Sequence, residues 1–500
     1  MGFSLHANNS NDPPEVRNWR IHLITTIVSM GAIAMGYDTS VIGGTMALDS
    51  FRRHFGLIHA SDIETDTLEG NIVSTFQAGC FFGSLLTFPL GERFGRRNAI
   101  VMAVCVFCIG GSLMTAASGH LGLIYAGRAI AGFGIGSVSL QVPVYIAEMS
   151  PASIRGRLVG IFEICSQGGG MLGFWINYAI NRTISSSRMA QWQIPLGLQL
   201  LPGGLLLAGI FWCPETPRWY AKKDRWGDAE KSLVWARRLP ANHPFIQGEL
   251  QQIREQFLYD VVPEGRKYDP WRWLIEEYSY SPRIFETLGI NSTDTKLFAT
   301  GFYGVAKTLG MVIFSVWLVE RVGRRSGLIY GAFIGSLPMW YIGGYVFERD
   351  PAGTSARGDT VQDAWGYIAM VCVYLYGLIY CATWQGITWV ICSEIFPIDI
   401  RMLCVAITTA DQWLWSFIIS RTTPYMITSL GYGTYFFFAS LMIAMGVWAW
   451  FFVPETKGKT LEEMDRLFGA PSSVNGMTEK DDSEKIGSGK AGEVVHAESV

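Results

Sequence analysis

The sequence predicts an all-α membrane protein made of two related helical halves. Of its 500 residues, 49% are hydrophobic and only 16% are charged, whereas soluble domains carry about 25% charged residues. Eleven apolar runs are close to or longer than the roughly 20 residues that a helix needs to cross a bilayer. A short basic sequence at 91–97 (GERFGRR) recurs at 320–325 (ERVGRR), each time between two apolar runs. This repetition indicates an internal duplication.

The apolar runs fall into two groups. The first group lies near 21–45, 70–90, 98–118, 121–146, 158–180 and 194–213. The second group lies near 295–319, 327–347, 365–392, 403–424 and 432–453. The stretch between them is rich in Lys and Arg and has helical patterning, as in 228–238 (DAEKSLVWARR). It predicts a few short helices that join the two halves outside the membrane.

Lysine and arginine set the predicted orientation, because short cytoplasmic loops carry an excess of both. Basic residues follow the second and fourth runs and are frequent in the linker, so these segments are expected to be cytoplasmic. The predicted organisation is a cytoplasmic segment at 1–20, a six-helix half at 21–215, a cytoplasmic helical linker at 216–275, a second half at 276–468 and a disordered cytoplasmic tail at 469–500. Both termini are then cytoplasmic, and the plasma membrane is the expected location.

The pattern fails at the seventh span. Residues 271–290 (WRWLIEEYSYSPRIFETLGI) are interrupted by Glu276, Glu277, Arg283 and Glu286 and do not make a full apolar run. With only eleven crossings, Arg321, Arg324 and Arg325 would face outward, against the positive-inside rule. Either a shorter element crosses the membrane there, or part of the chain is missing.

Several classes of function are not supported by the sequence. The formal net charge of -3 gives no reason to expect a nucleic-acid partner. The nine cysteines lie inside or at the ends of apolar runs and show neither disulfide nor metal spacing. No nucleophile, metal or cofactor constellation is present in the sequence, so we expect no enzyme, no cofactor and no metal site.

An ordered set of motifs carries a resemblance to a known family. Besides the two basic sequences, the motifs are Gly36–Asp38, Gly127–Arg128, Pro143, Tyr145, Glu148, Pro151, Arg155–Gly156, Pro214–Trp219, Ser393–Pro397 and Pro454–Gly458. Over about residues 20–468 the chain resembles the sugar porter family of the major facilitator superfamily. The stretches Pro14–Arg20 and Gly173–Tyr178 are most similar to fungal members of the quinate permease and hexose transporter type.

The resemblance implies a twelve-helix transporter that carries a hexose or pentose by alternating access, with a proton as the expected co-substrate. A quinate or polyol transporter and a non-transporting sugar receptor of the same fold are the alternatives. A tail of about 30 residues is short for a signalling receptor. The expected partners are the sugar or polyol, the proton and the lipid bilayer, and the expected state is a monomer.

The resemblance also bears on the seventh span. In relatives, a polar run with paired glutamines precedes a Tyr-Ser-Pro-x-Ile-Phe stretch in this span. Here that stretch is present at Tyr280–Phe285, while the match passes almost directly from Trp271–Trp273 to Tyr280. The resemblance therefore predicts a truncated span, most simply because a coding segment is missing between about Trp273 and Tyr280. A genuine half-helix that restores the topology is the alternative.

Asp38 is the most informative ionisable residue, because an acid inside a membrane span is costly unless it is paired. Arg128, in the fourth span, is its natural partner. In proton-coupled relatives the matching acid and arginine form the coupling pair, and protonation of the acid releases the arginine. A static ion pair that only fixes two helices is the alternative.

The predicted substrate contacts combine amide groups with aromatic rings, as sugar sites require. Glu163 stands in span five where glucose-type relatives carry a glutamine, and Gln167 lies one turn further on the same face. Trp389 in span ten and Gln412 in span eleven match substrate contacts of relatives, and Trp413 follows Gln412. For the tryptophans, a membrane-interface or packing role is the alternative.

Acidic and basic residues at the cytoplasmic ends of the spans predict a gate. Its expected members are Glu92, Arg93, Arg97, Glu148, Arg155, Glu320, Arg321, Arg325, Glu394 and Arg401. Glu148, Arg155 and Arg157 can pair with Glu394 and Arg401 across the halves, or each half can pair with its own basic sequence. Single surface ion pairs are weak, but several together can bias one state of a transporter. A purely topological role for the arginines is the alternative.

Overall fold

The computed structural model describes residues 13–16, 18–57, 62–151, 154–259, 293–318, 322–349, 351, 364–394 and 398–455. Within these ranges the chain is almost entirely helical and contains no strand. The helices of the first half are α1 (Trp19–Met46), α2 (Asp49–His54), α3 (Asp62–Phe94), α4 (Arg96–Thr115), α5 (Leu121–Met149), α6 (Arg155–Thr183), α7 (Ala190–Leu198) and α8 (Leu200–Ile210).

The linker and the second half supply the remaining helices. The linker contains α9 (Pro217–Lys222), α10 (Trp226–Arg237) and α11 (Pro244–Tyr259). The second half contains α12 (Thr293–Ile313), α13 (Arg324–Arg349), α14 (Ala364–Tyr380), α15 (Gly386–Glu394), α16 (Ile398–Leu430) and α17 (Gly433–Phe452). Two π-helical turns interrupt it: Phe314–Leu318 extends α12, and Cys381–Gln385 joins α14 to α15. A 3-10 turn at Pro14–Val16 precedes α1.

Nine helical stretches among the described residues are long and apolar enough to cross a bilayer. The helices α6 and α13 are 29 and 26 residues long but are more polar. In α6 the polarity comes partly from buried side chains, including Glu163, Gln167 and Asn177. The predicted all-α, multi-pass membrane architecture is confirmed.

The duplicated basic sequence aligns the helices of the two halves. It follows α3 and precedes α4 in the first half, and it follows α12 and precedes α13 in the second. Continuing in chain order, α5 corresponds to α14 and α15, α6 corresponds to α16, and α7 with α8 corresponds to α17. Among the described residues, α1 has no counterpart in the second half.

One end of the helix bundle holds the linker, and we call it the basic end. The Arg237 guanidinium in α10 donates to the Met149 carbonyl oxygen at the end of α5 (2.7 Å) and pairs with Glu249 of α11 (2.7 Å). At the start of α1, the Arg20 guanidinium donates to the Trp235 carbonyl oxygen of α10 (3.0 Å). The linker therefore fixes the beginning of α1 and the end of α5 at the same end.

The opposite end of the bundle, the far end, is where α6 finishes. There Arg182 forms an ion pair with Asp294 at the start of α12. The described chain thus leaves the linker at the basic end and resumes at the far end. The predicted truncation of span seven falls in residues 260–292, which lie outside the described residues.

Close contacts between backbones hold α1 against α6. A Cβ on Gly36 would lie 1.8 Å from the Ser166 carbonyl oxygen, and one on Gly169 would lie 2.3 Å from the Ile33 carbonyl oxygen. Small residues permit this approach, and dispersion contacts then stabilise the pair in lipid. The residues around Gly36 consequently share one cavity wall with the buried face of α6.

Among the described residues, the two halves meet mainly through two helix pairs, with a smaller contact between α5 and α16. Between α3 and α16, the rings of Phe76 and Trp413 make an edge contact with centroids 6.1 Å apart. Between α6 and α12, Trp175 packs against Phe298 and Phe302 at centroid distances of 6.0 and 5.6 Å. A central cavity lies between these contacts.

Candidate substrate and coupling site

A cavity of about 610 Å³ lies between the two halves. The first half lines it with Met35, Gly36, Thr39, Ser40, Gln77, Glu163, Ser166, Gln167 and Gly170. The second half lines it with Lys307, Gln385, Trp389, Gln412, Trp413 and Ser416. Amides, hydroxyls and two indole rings dominate this surface, which is the chemistry that binds a polyhydroxylated ring.

All five residues predicted to contact substrate line this cavity. Glu163 and Gln167 face it from α6, and both side chains are buried. Trp389 faces it from α15, while Gln412 and Trp413 face it from α16. The second tryptophan of span ten, Trp384, does not line it, because its Nε1 donates to the Leu328 carbonyl oxygen (3.0 Å) on the other side of the helix.

Sequence reasoning missed several lining residues, of which Lys307 is the most informative. It is one of two lysines in the apolar run 295–319 and stands in its interior, whereas Lys296 stands at its start. An ionisable residue inside a span marks a functional site by default, so this signal was available. Gln77 and Gln385 were harder to find, because a buried amide inside a helix does not reveal from sequence which way it points. The π-helical turn at Cys381–Gln385 turns Gln385 toward the cavity.

The predicted coupling pair is formed and fully buried. Arg128 Nη1 lies 3.0 Å from Asp38 Oδ1, with 1% and 0% of the two side chains exposed. The Arg128 Nε donates to the Ile72 carbonyl oxygen (3.3 Å). Asp38 Oδ2 is buried without a hydrogen-bond partner in the described structure. This second oxygen is the position where the carboxylate can take up a proton without breaking an existing bond.

An aromatic contact connects the coupling pair to the other half. The Arg128 guanidinium carbon lies 4.1 Å from the centroid of the Phe76 ring. The edge contact between Phe76 and Trp413 continues this stack into α16, where the Trp413 Nε1 donates to Ser139 Oγ (3.2 Å). A guanidinium over an aromatic face is held by the ring quadrupole, especially where water is excluded. A shift of the Arg128 guanidinium would therefore displace Phe76 and, through it, Trp413 in the cavity wall.

At the basic end, the first half forms a network around Arg96. This guanidinium pairs with Glu92 (2.9 Å) and Glu148 (3.3 Å) and donates to the Gly91 carbonyl oxygen (2.9 Å). Glu92 also pairs with Lys222 of the linker. The sequence analysis assigned Glu92 and Glu148 to the predicted gate but did not include Arg96, with which both form ion pairs.

The other predicted gate residues take different positions. Arg97 donates from its guanidinium to the carbonyl oxygens of Ile210 (3.2 Å) and Phe211 (3.0 Å), and Arg93 lies over the Phe94 ring. Arg155 begins α6 and is partly buried. Glu320 and Arg321 lie outside the described residues, as do the side chains of Glu394 and Arg401. The described contacts of Glu92 and Glu148 match the alternative in which each half pairs with its own basic sequence.

A glutamate completes each basic sequence, buried in the first half and half-buried in the second, and we call this arrangement the glutamate clamp. In the first half, the Glu215 carboxylate accepts from the backbone N–H groups of Arg96 (3.0 Å) and Arg97 (3.1 Å) at the start of α4. Gly95, with φ of 98°, precedes them, and a Cβ there would lie 2.2 Å from Glu215 Oε2. Burial raises the pKa of the Glu215 carboxyl, and the backbone N–H groups of Thr216 and Arg97 oppose that shift.

The second half repeats the clamp with Glu455. Its carboxylate accepts from the backbone N–H groups of Arg324 (2.8 Å) and Arg325 (3.2 Å) at the start of α13. Gly323 has φ of 87°, and a Cβ there would lie 2.6 Å from Glu455 Oε2. Arg325 also donates from its side chain to the Trp450 carbonyl oxygen (2.5 Å). Each clamp satisfies helix N–H groups that have no partner within the helix.

A second cavity, of about 480 Å³, lies within the second half. It is apolar and is lined by Ala332, Tyr376, Tyr380, Trp384, Ile419, Phe438, Leu441, Met442 and Met445. Apart from Ala332, these residues belong to α14 with its π-helical turn, to α16 and to α17. Their counterparts α5, α6 and α8 are the helices that pack around α1 in the first half.

This architecture and this cavity define a transporter of the major facilitator fold. A family model described as "Sugar (and other) transporter" matches residues 24–261 and 278–468, and the chain belongs to that family. A probable quinate permease from Aspergillus niger is 39% identical over 486 residues, covering 91% of this chain and 89% of that protein. A quinate permease from Emericella nidulans is 39% identical over 488 residues, covering 91% and 90%.

Solved structures give the same result. The proton:xylose symporter XylE bound to 6-bromo-6-deoxy-D-glucose has a TM-score of 0.72 and 26% identity, covering 89% of this chain and 98% of that chain. The xylose transporter XylE from E. coli in a partially occluded inward-open conformation has a TM-score of 0.71 and 27% identity, covering 89% and 100%. The predicted sugar porter resemblance, with its similarity to fungal quinate permeases, is confirmed.

Proposed function

We propose that this protein carries a sugar, a hexose or a pentose, across a membrane by alternating access, together with a proton. The observation that carries the proposal is the position of the buried Asp38–Arg128 pair, one aromatic ring away from a polar cavity between the halves. A cavity between two rigid halves can open to either side when the halves rock. A buried acid beside it gives the proton a place to bind during that cycle.

Substrate recognition is proposed to rest on both halves. Gln167 and Glu163 offer hydrogen bonds from the first half, and Gln412 offers an amide from the second. The Trp389 ring faces the same cavity and can cover the apolar side of a sugar ring. A ligand held by both halves favours the state in which they are close together, which is how binding can drive a rocking transition.

Proton coupling is proposed to act through the guanidinium of Arg128. While Asp38 is ionised, the pair is stabilised by charge and by the contact with Phe76. Protonation on the unpartnered Oδ2 removes the charge that holds Arg128, so the guanidinium can shift against Phe76 and, through it, against Trp413. The proton and the substrate would then influence each other through residues already in contact.

The basic end is proposed to be the cytoplasmic end, because it holds the linker and the basic sequences. The network around Arg96 and the two glutamate clamps would then stabilise the state closed to the cytoplasm. Under this proposal both termini are cytoplasmic, the protein acts as a monomer, and it resides in the plasma membrane. The segments 1–20, 216–275 and 469–500 are its cytoplasmic parts.

A second candidate substrate is quinate, a cyclic polyol that bears a carboxylate. The specific observation in its favour is the 39% identity to quinate permeases over 91% of the chain. The same amides and rings that bind a sugar can bind the hydroxyl groups of such a ring. The two candidates differ by one charged group, so a site for that group would distinguish them.

The test is uptake by proteoliposomes that contain the purified protein. Labelled glucose, xylose and quinate are supplied with an imposed proton gradient, acidic outside the vesicle. Accumulation above the equilibrium level, abolished by a protonophore, is the expected result for at least one of the three. Saturable exchange that ignores the proton gradient would remove the symport part of the proposal, and no uptake of any of them would remove the transport part.

A further inference from the structure

The central cavity contains a cation that a neutral sugar does not require. We infer that Lys307 binds the carboxylate of the substrate and that the substrate is a polyhydroxylated carboxylate. This inference rests on the proposed transport function, and it selects between its two candidate substrate classes. It adds Lys307 to the substrate site as the residue that distinguishes a negatively charged substrate from a neutral one.

The position of Lys307 is fixed by the packing of α12 against α14. A Cβ on Gly377 of α14 would lie 3.2 Å from Lys307 Cγ and 2.5 Å from Tyr303 Cε2. A glycine therefore makes room for the lysine stem and for the tyrosine one turn before it. The Lys307 Nζ lies 5.8 Å from the centroid of the Tyr303 ring. The stem lies between two helices, and Lys307 is among the residues that line the cavity.

The level of Lys307 in the membrane follows from contacts between α12 and α6. Gly304 faces Met171, and Ser315 faces Gly160. The two helices are therefore antiparallel. Lys307 consequently lies level with the turn that carries Gln167. Glu163 is about one turn nearer the basic end, which is roughly 6 Å of axial rise. The cavity therefore has a cation on the second half and a carboxyl group on the first, at different depths.

This arrangement of charge fits a hydroxylated ring with one carboxylate. The carboxylate would accept hydrogen bonds from the Lys307 ammonium group, and such charge-assisted bonds are about twice as strong as neutral ones. Hydroxyl groups on the far side of the ring would donate to Glu163. Taking a charged lysine out of water is expensive, so a site for a neutral sugar gains little from having one. A substrate with a negative charge interacts favourably with the lysine, and this interaction selects it over a neutral sugar.

Binding to the purified protein tests the inference directly. Trp389 and Trp413 line the cavity, so intrinsic fluorescence can report occupancy. The probes are quinate and its methyl ester, which have the same hydroxyl groups but differ in charge. We expect the protein to prefer quinate by about tenfold or more, and Lys307→Gln to bring the quinate affinity down to that of the ester.

Two variants control for nonspecific effects. Lys307→Arg keeps the charge and should keep the preference for quinate. Lys296→Gln removes a lysine from the same helix, three turns nearer the far end and outside the cavity lining, and should leave both affinities unchanged. Equal affinity of the unaltered protein for quinate and ester overturns the inference, and so does a preference that survives in Lys307→Gln. Saturable binding of xylose without binding of quinate overturns it as well.

A transport measurement separates this inference from the proposed function. A monovalent anion that enters with one proton moves no net charge. Quinate accumulation driven by a proton gradient should therefore be insensitive to a membrane potential imposed with valinomycin and potassium. Proton-driven accumulation of xylose but not quinate, equal in Lys307→Gln and in the unaltered protein, would leave the transport proposal standing and refute the carboxylate site.

Discussion

The two halves share their basic ends but differ at their centres. Each half has a glycine with positive φ, two arginines at a helix start and a glutamate that accepts from their backbone N–H groups. In the first half, α1 fills the centre and carries Asp38. In the second half, the counterparts of the helices around α1 line an apolar cavity of about 480 Å³, and the cation of the central cavity comes from α12.

This difference shows how a duplicated fold can divide its tasks. The repeated clamp fixes the loop between two neighbouring helices, a structural need that both halves have. The proposed proton site, Asp38, lies on a helix that only the first half has among the described residues. The second half contributes two tryptophans, two glutamines and a lysine to the cavity instead. The proposed proton and substrate sites therefore lie where two halves that are no longer equivalent meet.

We expect the largest effect from replacing Asp38 of α1. Asp38→Asn keeps the size of the side chain but can neither hold Arg128 by charge nor take up a proton. We expect proton-driven accumulation to be abolished while exchange of substrate across the membrane continues. Asp49→Asn, on the exposed start of α2, serves as the control and should behave as the unaltered protein does. Uphill uptake in Asp38→Asn with a normal pH dependence would refute the coupling role.

The next effect concerns the counterpart of α1 in the second half, which the described residues do not contain. The alignment to the Aspergillus niger relative spans 486 residues, roughly 30 more than the 91% of this 500-residue chain that it covers. The family model is also interrupted between 261 and 278, close to the predicted junction at Trp273–Tyr280. We expect the transcript to contain a further coding segment there. A protein that includes it should transport several times faster and withstand higher temperature in detergent than the chain as printed.

Sequencing the transcript across the junction decides this prediction, and uptake by the two forms measures the effect. A transcript that encodes the chain as printed, together with robust uptake by that chain, would contradict it. The cavity in the second half sharpens the expectation. If the added segment fills that cavity, replacing Ala332 by a bulkier residue should be tolerated in the printed chain and should destabilise the longer one.

Much of this fold could be predicted because apolar length and charge placement determine it. The duplicated basic sequences indicated the two halves, and the apolar runs located eleven helical segments, of which two are divided in the structure, into α7 and α8 and into α14 and α15. The Asp38–Arg128 pair could be predicted because an acid and a base inside spans have few alternative partners. The clamps could not, since Glu215 is 119 residues beyond Arg96 and nothing in the local sequence joins them. Gln77 and Gln385 were missed because helix rotation decides which buried amides face the cavity.

The third prediction tests an amide of the second half. Gln412 lines the cavity from α16, and a substrate hydroxyl that loses such a partner on binding forfeits about 1–3 kcal/mol. Gln412→Ala should therefore raise the apparent KM for the transported substrate by about tenfold or more, with kcat less affected. Gln247→Ala, in the linker, is the control. An unchanged KM at normal surface expression would count against a substrate contact at this position.

The fourth prediction concerns the carboxyl group of the first half. Glu163→Gln preserves the shape of the side chain and leaves an amide that can still bind hydroxyl groups. We expect a change of about two- to fivefold in the ratio of quinate to xylose uptake, because the charge opposite Lys307 is lost. Uptake of both substrates across a range of pH measures this. If both the ratio and the pH profile stay the same, Glu163 has only a packing or hydration role.

The smallest effect tests the feature that the two halves share. Glu215→Gln and Glu455→Gln each replace a carboxylate that accepts from two backbone N–H groups at a helix start. The amide can accept through its oxygen but places a donor against the second N–H, which costs about 1–3 kcal/mol. Each variant should therefore lower the melting temperature in detergent by a few degrees. Glu348→Gln, on the exposed surface of α13, should leave it unchanged. Similar losses in both halves would show that the clamp is one structural device used twice, whereas a loss confined to Glu215 would mean that the second half does not depend on it.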